Sequence, residues 1–370
     1  MDSLSRAEAE PRETRALLVL DQLPGVGLVT LRALVRAFGT AEGALRAPAS
    51  AFGAVAGPGA ARARRDEALT RAVDAGLAEA GRLGMTVLTW TDPRYPARLL
   101  HLHDPPPVLF LRGRPELLER AAPELPAVTI VGARHSTGRA REVAERLGRG
   151  LAGAGACVVS GLALGVDGAA HRGALAAGGP TIAVLGRGAD AAYPPAHRRL
   201  FREILGSGLV VSEFLPGTPA LPHHFPRRNR ILAALAEAVV VVEAGAKSGS
   251  LITVDHALDL GIDVWAVPGP IDVAACAGSN RLLADGARAL VSVADFVREI
   301  TGQGGAAARV EEVGGPAGAL LARLGQETLN VDELAARAGL AVPAALALLT
   351  ELELGGLVRQ LPGMRFRSAA

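Results

Sequence analysis

Short, continuously apolar runs alternating with helical segments predict an α/β fold over residues 85–300, a doubly wound, Rossmann-like parallel sheet. Three observations carry the reading. Residues 127–131 (Ala-Val-Thr-Ile-Val) and 157–160 (Cys-Val-Val-Ser) are rich in β-branched residues and lack the apolar/polar alternation of a half-exposed strand, as strands buried on both faces do. Residues 137–154, between them, place Val143, Leu147 and Leu151 on one helical face, completing a strand–helix–strand unit. Both runs stop at glycine and small residues, the first at Gly132-Ala133-Arg134 and the second at Gly161-Leu162-Ala163. Ligands of such sheets sit beyond the carboxyl ends of the strands, so these turns are where a site is expected.

Taken in order, residues 15–84 are Ala/Leu-rich and helical, and are expected to form a helix-hairpin-helix, SAM-like domain. Leu23-Pro-Gly25-Val-Gly27, ahead of Leu31 and Leu34, has the look of a hairpin between helices, and Gly57-Pro-Gly59 is a second candidate. Such hairpins can offer backbone N–H groups to a phosphate; a tight turn between packed helices is the plainer reading of each. The sheet region opens with 86–90 and 108–111. Further strands are expected at 181–185, 209–212, 238–242, 264–267 and 289–291, with helices near 197–205, 227–236, 250–260 and 293–300. Residues 301–316 are rich in Gly and Ala and read as a linker. In 317–370, Asn330-x-x-Glu333 is placed to cap a helix at 331–338, Gly339 turns the chain into a second helix at 342–354, and a closing hairpin follows, as in a winged helix. That second helix carries only Glu351 and Glu353 as charges, so a protein-contact or weak accessory role is preferred over groove reading.

Composition narrows the function classes. Nearly half the 370 residues are apolar, enough for a large core, and the net charge of +2 leaves only the clustering of charge to interpret. The sole lysine is Lys247. Cys157 and Cys276 have no metal-binding or redox spacing, which fits a reduced cytoplasmic compartment. Residues 1–15 are charged and do not resemble a signal peptide, and Glu237 and Glu243 interrupt the longest apolar runs, so no membrane association is expected.

Several motifs imitate enzyme signatures. Gly186-Arg-Gly188-Ala-Asp-Ala191 fits a dinucleotide fingerprint, with Glu213 where a ribose-binding acid would stand, but Tyr193-Pro194-Pro195 prevents the glycine turn from opening into a helix. Ala246-Lys247-Ser248 resembles the end of a phosphate-binding loop without its glycines. Asp167 and His171, four residues apart, have no third ligand at recognisable spacing, and Asp167 suits a structural role as a capping acid. The cationic constellation is stronger. Arg134 follows one strand; Phe225-Pro-Arg227-Arg228-Asn229-Arg230 holds three arginines and no acid; Lys247-Ser248-Gly249-Ser250 joins a cation to hydroxyls at a helix start. Together these groups can cradle phosphates while Phe225 stacks a base.

The ordered series of these pieces, from Tyr95-Pro96 through Val131-Gly-Ala-Arg134, Ser160-Gly-Leu-Ala-x-Gly165-x-Asp167-x-x-Ala-His171, Phe225-Pro-x-Arg-Asn-Arg-Ile231 and Ser248-Gly-Ser-Leu-Ile-Thr253 to Gly286-Ala287, resembles the bacterial DNA-processing protein A (DprA/Smf) family. The resemblance implies a non-catalytic protein of natural transformation that protects incoming single-stranded DNA, forms a homodimer through its Rossmann-like domain and loads RecA. It implies no cofactor and no metal. Positions matching the family's DNA pocket are Gly132, Ala133, Arg134, Phe225, Arg227, Arg228, Asn229, Arg230, Lys247, Ser248, Gly249 and Ser250, with Ser160, Gly161, Asp167, His171 and Glu243 shaping it. Departures are Arg139-Ala140 for a common Tyr-Gly, His197 for a usual Asn and Ile262 for a usual Arg. The rival reading is a Rossmann-like nucleotide-processing enzyme recruiting Asp167, His171 and Glu243, since fold alone does not separate the two.

Overall fold

The computed structural model describes residues 3–119, 126–302, 315–324, 328–354, 358–361 and 363–368. Most of the linker expected at 301–316, and the turn residues Gly355, Gly356 and Pro362, lie outside them. The chain divides into two compact units, Met1–Thr301 and Gly302–Ala370.

The first unit opens with five helices, α1 (Ser3–Asp21), α2 (Leu28–Phe38), α3 (Ala41–Arg46), α4 (Ala49–Ala63) and α5 (Glu67–Arg82). Leu31 and Leu34 on α2, Phe52 on α4 and Val73 on α5 pack inward against Leu17 and Leu20 of α1. Gly25 and Gly57, the leading glycines of the two candidate hairpins, both take a left-handed φ, and Gly57 breaks α4 in its middle.

Then follow β1 (Thr86–Thr89), α6 (Ala97–Leu100), β2 (Val108–Gly113), α7 (Glu116–Glu119), β3 (Ala127–Val131), α8 (Gly138–Gly153), β4 (Cys157–Ser160), α9 (Val166–Ala176), β5 (Thr181–Leu185), α10 (Arg198–Ser207), β6 (Leu209–Ser212), α11 (His224–Ala234), β7 (Ala238–Val241), α12 (Leu251–Asp259), β8 (Asp263–Ala266), α13 (Ala277–Ala284), β9 (Arg288–Ala289) and α14 (Val293–Thr301). The strands form one nine-stranded sheet in the order β1-β2-β6-β5-β4-β3-β7-β8-β9. From β6 to β9 every pairing is parallel; β2 joins β6, and β1 joins β2, in antiparallel fashion. Buried residues occupy every position of β3, β4, β5, β6 and β7, as continuous apolar runs require of strands covered on both faces. Val128, Ile130, Val158 and Val240 meet α8 and α9 on one side, while Val131, Val159, Val239 and Val241 meet α11 and α12 on the other. The amino-terminal helices share a core with α10 and with Phe110, Ala183 and Val210 of the sheet, so the segment expected as a separate domain at 15–84 sits within the first unit.

The second unit comprises α15 (Gly315–Leu324), β10 (Thr328–Asn330), α16 (Val331–Ala338), α17 (Val342–Leu354), β11 (Val358–Leu361) and β12 (Arg365–Ser368), with its sheet in the order β10-β12-β11. It is a winged helix. Asn330 and Glu333 cap α16 reciprocally, each side chain taking the other residue's N–H. Leu320, Leu334, Leu349 and Phe366 build its own small core.

The tightest helix packing of the first unit is that of α8 on α9, where Gly148 lies against the carbonyl of Ala170 and Gly173 against that of Glu145, leaving no room for a Cβ at either glycine. Gly148→Ala should therefore lower stability by about 1–3 kcal/mol, because backbone and not a flexible side chain must give way. Urea unfolding measures this; an unchanged midpoint would mean that the two helices separate freely.

Candidate nucleic-acid interface

The strand order reverses around β3. The chain runs from β3 outward through β4, β5 and β6, then returns to place β7 on the other side of β3. Loops leaving β3 and β7 consequently diverge, and a crevice opens at the carboxyl ends of the strands. A cavity of about 580 Å³ occupies this position.

Gly132 and Arg134 from the β3 turn line it, together with Phe225, Arg228 and Asn229 of α11, Ser248, Gly249 and Ser250 from the loop before α12, and Asp167 of α9. Tyr193, Pro222, Leu232, Ile252 and Thr253 also line it; none of these stood out in the sequence as a site residue. Arg134 is exposed, and its guanidinium sits 4.8 Å from the centroid of the Phe225 ring. Tyr193 lies beside Phe225 at 5.6 Å between ring centroids. Two acids that could brace Arg134, Glu243 and Glu213, are engaged elsewhere, while Asp167 feels its charge without forming an ion pair with it. Glu243 accepts from the Thr137 N–H and hydroxyl, which orders the start of α8, and Glu213 is paired with Arg230 of α11. Among the described residues Arg134 has no ion-pair partner.

The three arginines of α11 divide by helical position. Arg228 faces the cavity, buried, donating to the carbonyls of Gly161 (2.8 Å) and Val184. Its planar group lies flat on Gly161, where a Cβ would collide with it. Burial lowers its pKa to about 10, with Asp167 opposing the fall and Arg134 adding to it. Arg227 and Arg230, expected to bind DNA, lie off the cavity. Arg230 is 1% exposed and forks onto Glu213 through both oxygens (2.8 Å each), while its Nε reaches the Asp104 carbonyl at 3.0 Å. Arg227 donates to Glu213 at 2.9 Å and lies 3.5 Å from Asp21 at the end of α1. The segment has no acid of its own, but three positions distant in sequence supply Glu213, Asp21 and Asp104; both arginines are thereby neutralised and tie α11 down.

Asn229 donates to the Gly249 carbonyl at 3.0 Å and so fixes the serine loop to α11. In that loop Ser248 Oγ and Ser250 Oγ lie 2.8 Å apart, and Lys247 is exposed beside the cavity without lining it. Ala133 is also absent from the lining; its N–H donates to the Glu243 carbonyl at 2.7 Å, joining the β3 and β7 turns. Ser160 donates to the Ile130 carbonyl within the sheet. Asp167, expected as a helix-capping acid, instead reaches back from the first turn of α9, where Oδ2 accepts from Gly161 N–H (3.1 Å) and Ala163 N–H (3.3 Å). Burial raises its pKa, against the pull of Arg228 and these two N–H groups. His171 is fully buried away from the cavity. Thr181 donates its hydroxyl proton to the Val158 carbonyl and so takes the Nδ1–H of His171 at 2.7 Å.

The comparisons with known proteins agree with one another. The family model DNA recombination-mediator protein A matches residues 86–301, and the DprA winged helix domain model matches 305–364. Protein Smf of Synechocystis is 33% identical over 388 residues, covering 95% of this chain and 97% of its own. DNA processing protein DprA of Streptococcus pneumoniae is 42% identical over 208 residues, 56% of this chain and 72% of that one. An X-ray structure of DNA processing protein A from Streptococcus pneumoniae superposes with a TM-score of 0.63 at 33% identity, covering 77% of this chain and 96% of that chain. DNA processing protein A from Helicobacter pylori, studied for its single-stranded DNA binding mode, superposes with a TM-score of 0.52 at 29% identity over 58% of this chain and 94% of that one.

Two predictions follow from the buried charges. Glu213→Ala leaves the interior Arg230 only the half-exposed Asp104 as a counter-charge and should cost roughly 3–5 kcal/mol in urea unfolding; a loss under 1 kcal/mol would mean that the arginine escapes to water. His171 has its pKa pulled from 6.5 down to about 3, first by burial and then by His197, Arg228 and Arg172. The unfolded chain protonates this ring near 6.5 and the folded chain only near 3, so stability is lost as pH falls through that window. His171→Gln should therefore show a shallower fall in melting temperature between those pH values than the parent; parallel slopes would contradict the assignment.

Proposed function

This chain belongs to the DNA recombination-mediator protein A family, and from that membership we propose that it binds single-stranded DNA at the cavity beyond β3 and β7 and hands the strand to RecA. The observation that supports this reading most is Arg134, exposed, without an ion-pair partner among the described residues and set against an aromatic ring of the cavity wall. A guanidinium so placed can fork onto a phosphate while the neighbouring rings accept a base face. Gly132, Phe225, Arg228, Asn229 and the Ser248–Ser250 loop complete the contact surface, with Lys247 as a further cation at its edge. Arg227 and Arg230 act in this account as braces of α11.

The role is binding, with no chemical step on the strand. Both oxygens of Glu243 are taken by Thr137, and His171 is enclosed away from the cavity, which leaves two of the three groups of the rival enzyme reading, Glu243 and His171, badly placed for proton transfer. Family membership supports a homodimer through the first unit and work in the cytoplasm on incoming DNA during transformation. Among the described residues no single helix is long and apolar enough to cross a membrane. The third helix of the winged unit, α17, remains without a basic residue, and an accessory role for that unit is the reading its charges favour.

Binding should be largely independent of sequence, weaken with salt and favour single strands over duplex at equal salt. Arg134→Ala tests the site. Its melting temperature should stay near that of the parent, affinity should fall alike for all sequences, and the log–log salt slope should lessen by roughly 0.7. An unchanged slope with a lowered melting temperature would make Arg134 a structural brace and remove the cavity from the account.

A further inference from the structure

A second cavity, of about 530 Å³, opens between α9 and α10, on the sheet face opposite α11 and α12. Arg172 and Leu175 of α9 line one wall, and Arg202 and Gly206 of α10 the other. Because β4, β5 and β6 are parallel, both helices start at the carboxyl edge of the sheet and run back to its amino edge. Helical side chains lean toward the N-terminus of their own helix, and both arginines do so. Arg172 Nη1 comes to 3.3 Å from where a Cβ on Gly168 would stand, one turn back on α9. Arg202 Nε donates to the Arg198 carbonyl at 3.4 Å, one turn back on α10. Both charges are thereby carried toward the edge at which the cavity beyond β3 and β7 opens.

The groove begins where that cavity ends. Tyr193 lines the cavity, and one short 3₁₀ turn, Pro195–His197, leads from it to Arg198 at the start of α10. His197 fixes the turn: its Nδ1–H donates to the Leu162 carbonyl at 3.0 Å, and its ring fills the space beside Gly168. The cations here are unspent. Glu203, the acid in the groove wall, pairs with Arg199 at 2.8 Å. Among the described residues Arg172, Arg198 and Arg202 form no ion pair, whereas Arg71, Arg82 and Arg281 on other helices each meet an acid one turn away. Three exposed arginines without an intervening free acid suit a polyanion. A protein partner would need a deep apolar anchor point, and the walls offer only a half-buried Leu175 among small residues.

We propose that the groove between α9 and α10 carries the phosphate backbone of a single strand onward from the cavity, past Tyr193 and over Arg198, Arg172 and Arg202. The inference rests on the single-strand reading above and extends it from one site to a path across a second face of the sheet. Contacts confined to phosphates impose no sequence preference and leave the bases of that stretch unoccupied. Their contribution appears only when the strand is long enough to leave the cavity.

The test measures fluorescence anisotropy on the full chain with thymidine oligonucleotides of about 5 and about 20 nucleotides, lengths that bracket the usual site sizes of single-strand grooves. Arg172→Gln combined with Arg202→Gln should weaken the long strand by about fivefold to tenfold and lessen its log–log salt slope by roughly 1.4, for two phosphate contacts. Short-strand affinity and melting temperature should stay near the parent's. The double lysine variant at the same positions, which keeps both charges, should retain most of the long-strand affinity. Equal weakening toward both lengths would place the effect in the cavity and overturn the proposal. So would a glutamine variant that binds the long strand like the parent; if that variant also loses a polyglutamate peptide that the parent holds, the groove serves an acidic protein segment instead. Either failure leaves the single-strand reading intact as long as the parent binds the short strand. Parental binding of neither length would overturn both.

Discussion

The reversal of strand order at β3 is the constraint from which the site follows. Seven parallel strands bring their carboxyl ends to one edge of the sheet, and the connections leaving β3 and β7 must part there. Hydrogen bonds then hold the parted turns at a fixed distance: Ala133 to the Glu243 carbonyl, Thr137 to the Glu243 carboxylate and Asn229 to the Gly249 carbonyl. The crevice is thus a property of the backbone topology. Side chains decide what it can receive.

The helix that furnishes most of those side chains is held by charge. Glu213, at the end of β6, takes Arg230 bidentately and Arg227 through one oxygen, and Asp21 ties the same arginine to the amino-terminal helices. Buried ion pairs of this kind add little net stability but penalise rearrangement severely, since any shift leaves a charge unpaired in the interior. Such an arrangement suits an element that must present Phe225, Arg228 and Asn229 in one fixed orientation. It also makes the amino-terminal helices part of the support of the site.

Much of this was legible in the residues. Continuous apolar runs without alternation gave the strands within a residue or two at most positions, and glycine-ended strands pointed to the Arg134 turn and the serine loop. The arginines of α11 were read as one cluster because the helix was expected to begin at residue 227, whereas it begins at His224. Once helical periodicity is extended back, Phe225, Arg228, Asn229 and Leu232 fall on one stripe and Arg227 and Arg230 on another. The acids that neutralise the second stripe come from positions 21, 104 and 213, and no local pattern announces contacts across such separations. Thr253 and Tyr193 were missed for a related reason. A threonine inside a helix and a tyrosine before a proline are ordinary in sequence, and only the packing of α12 and of the loop after β5 turns them toward the cavity.

Zero-length photocross-linking tests the central claim most directly. A single strand carrying 5-iododeoxyuridine, irradiated in complex with the full chain and mapped by peptide mass, reports which side chains touch bases. The account predicts cross-links at Phe225 and Tyr193. Cross-links confined to the winged unit or to the amino-terminal hairpins, with none at the mouth of the cavity, would contradict it.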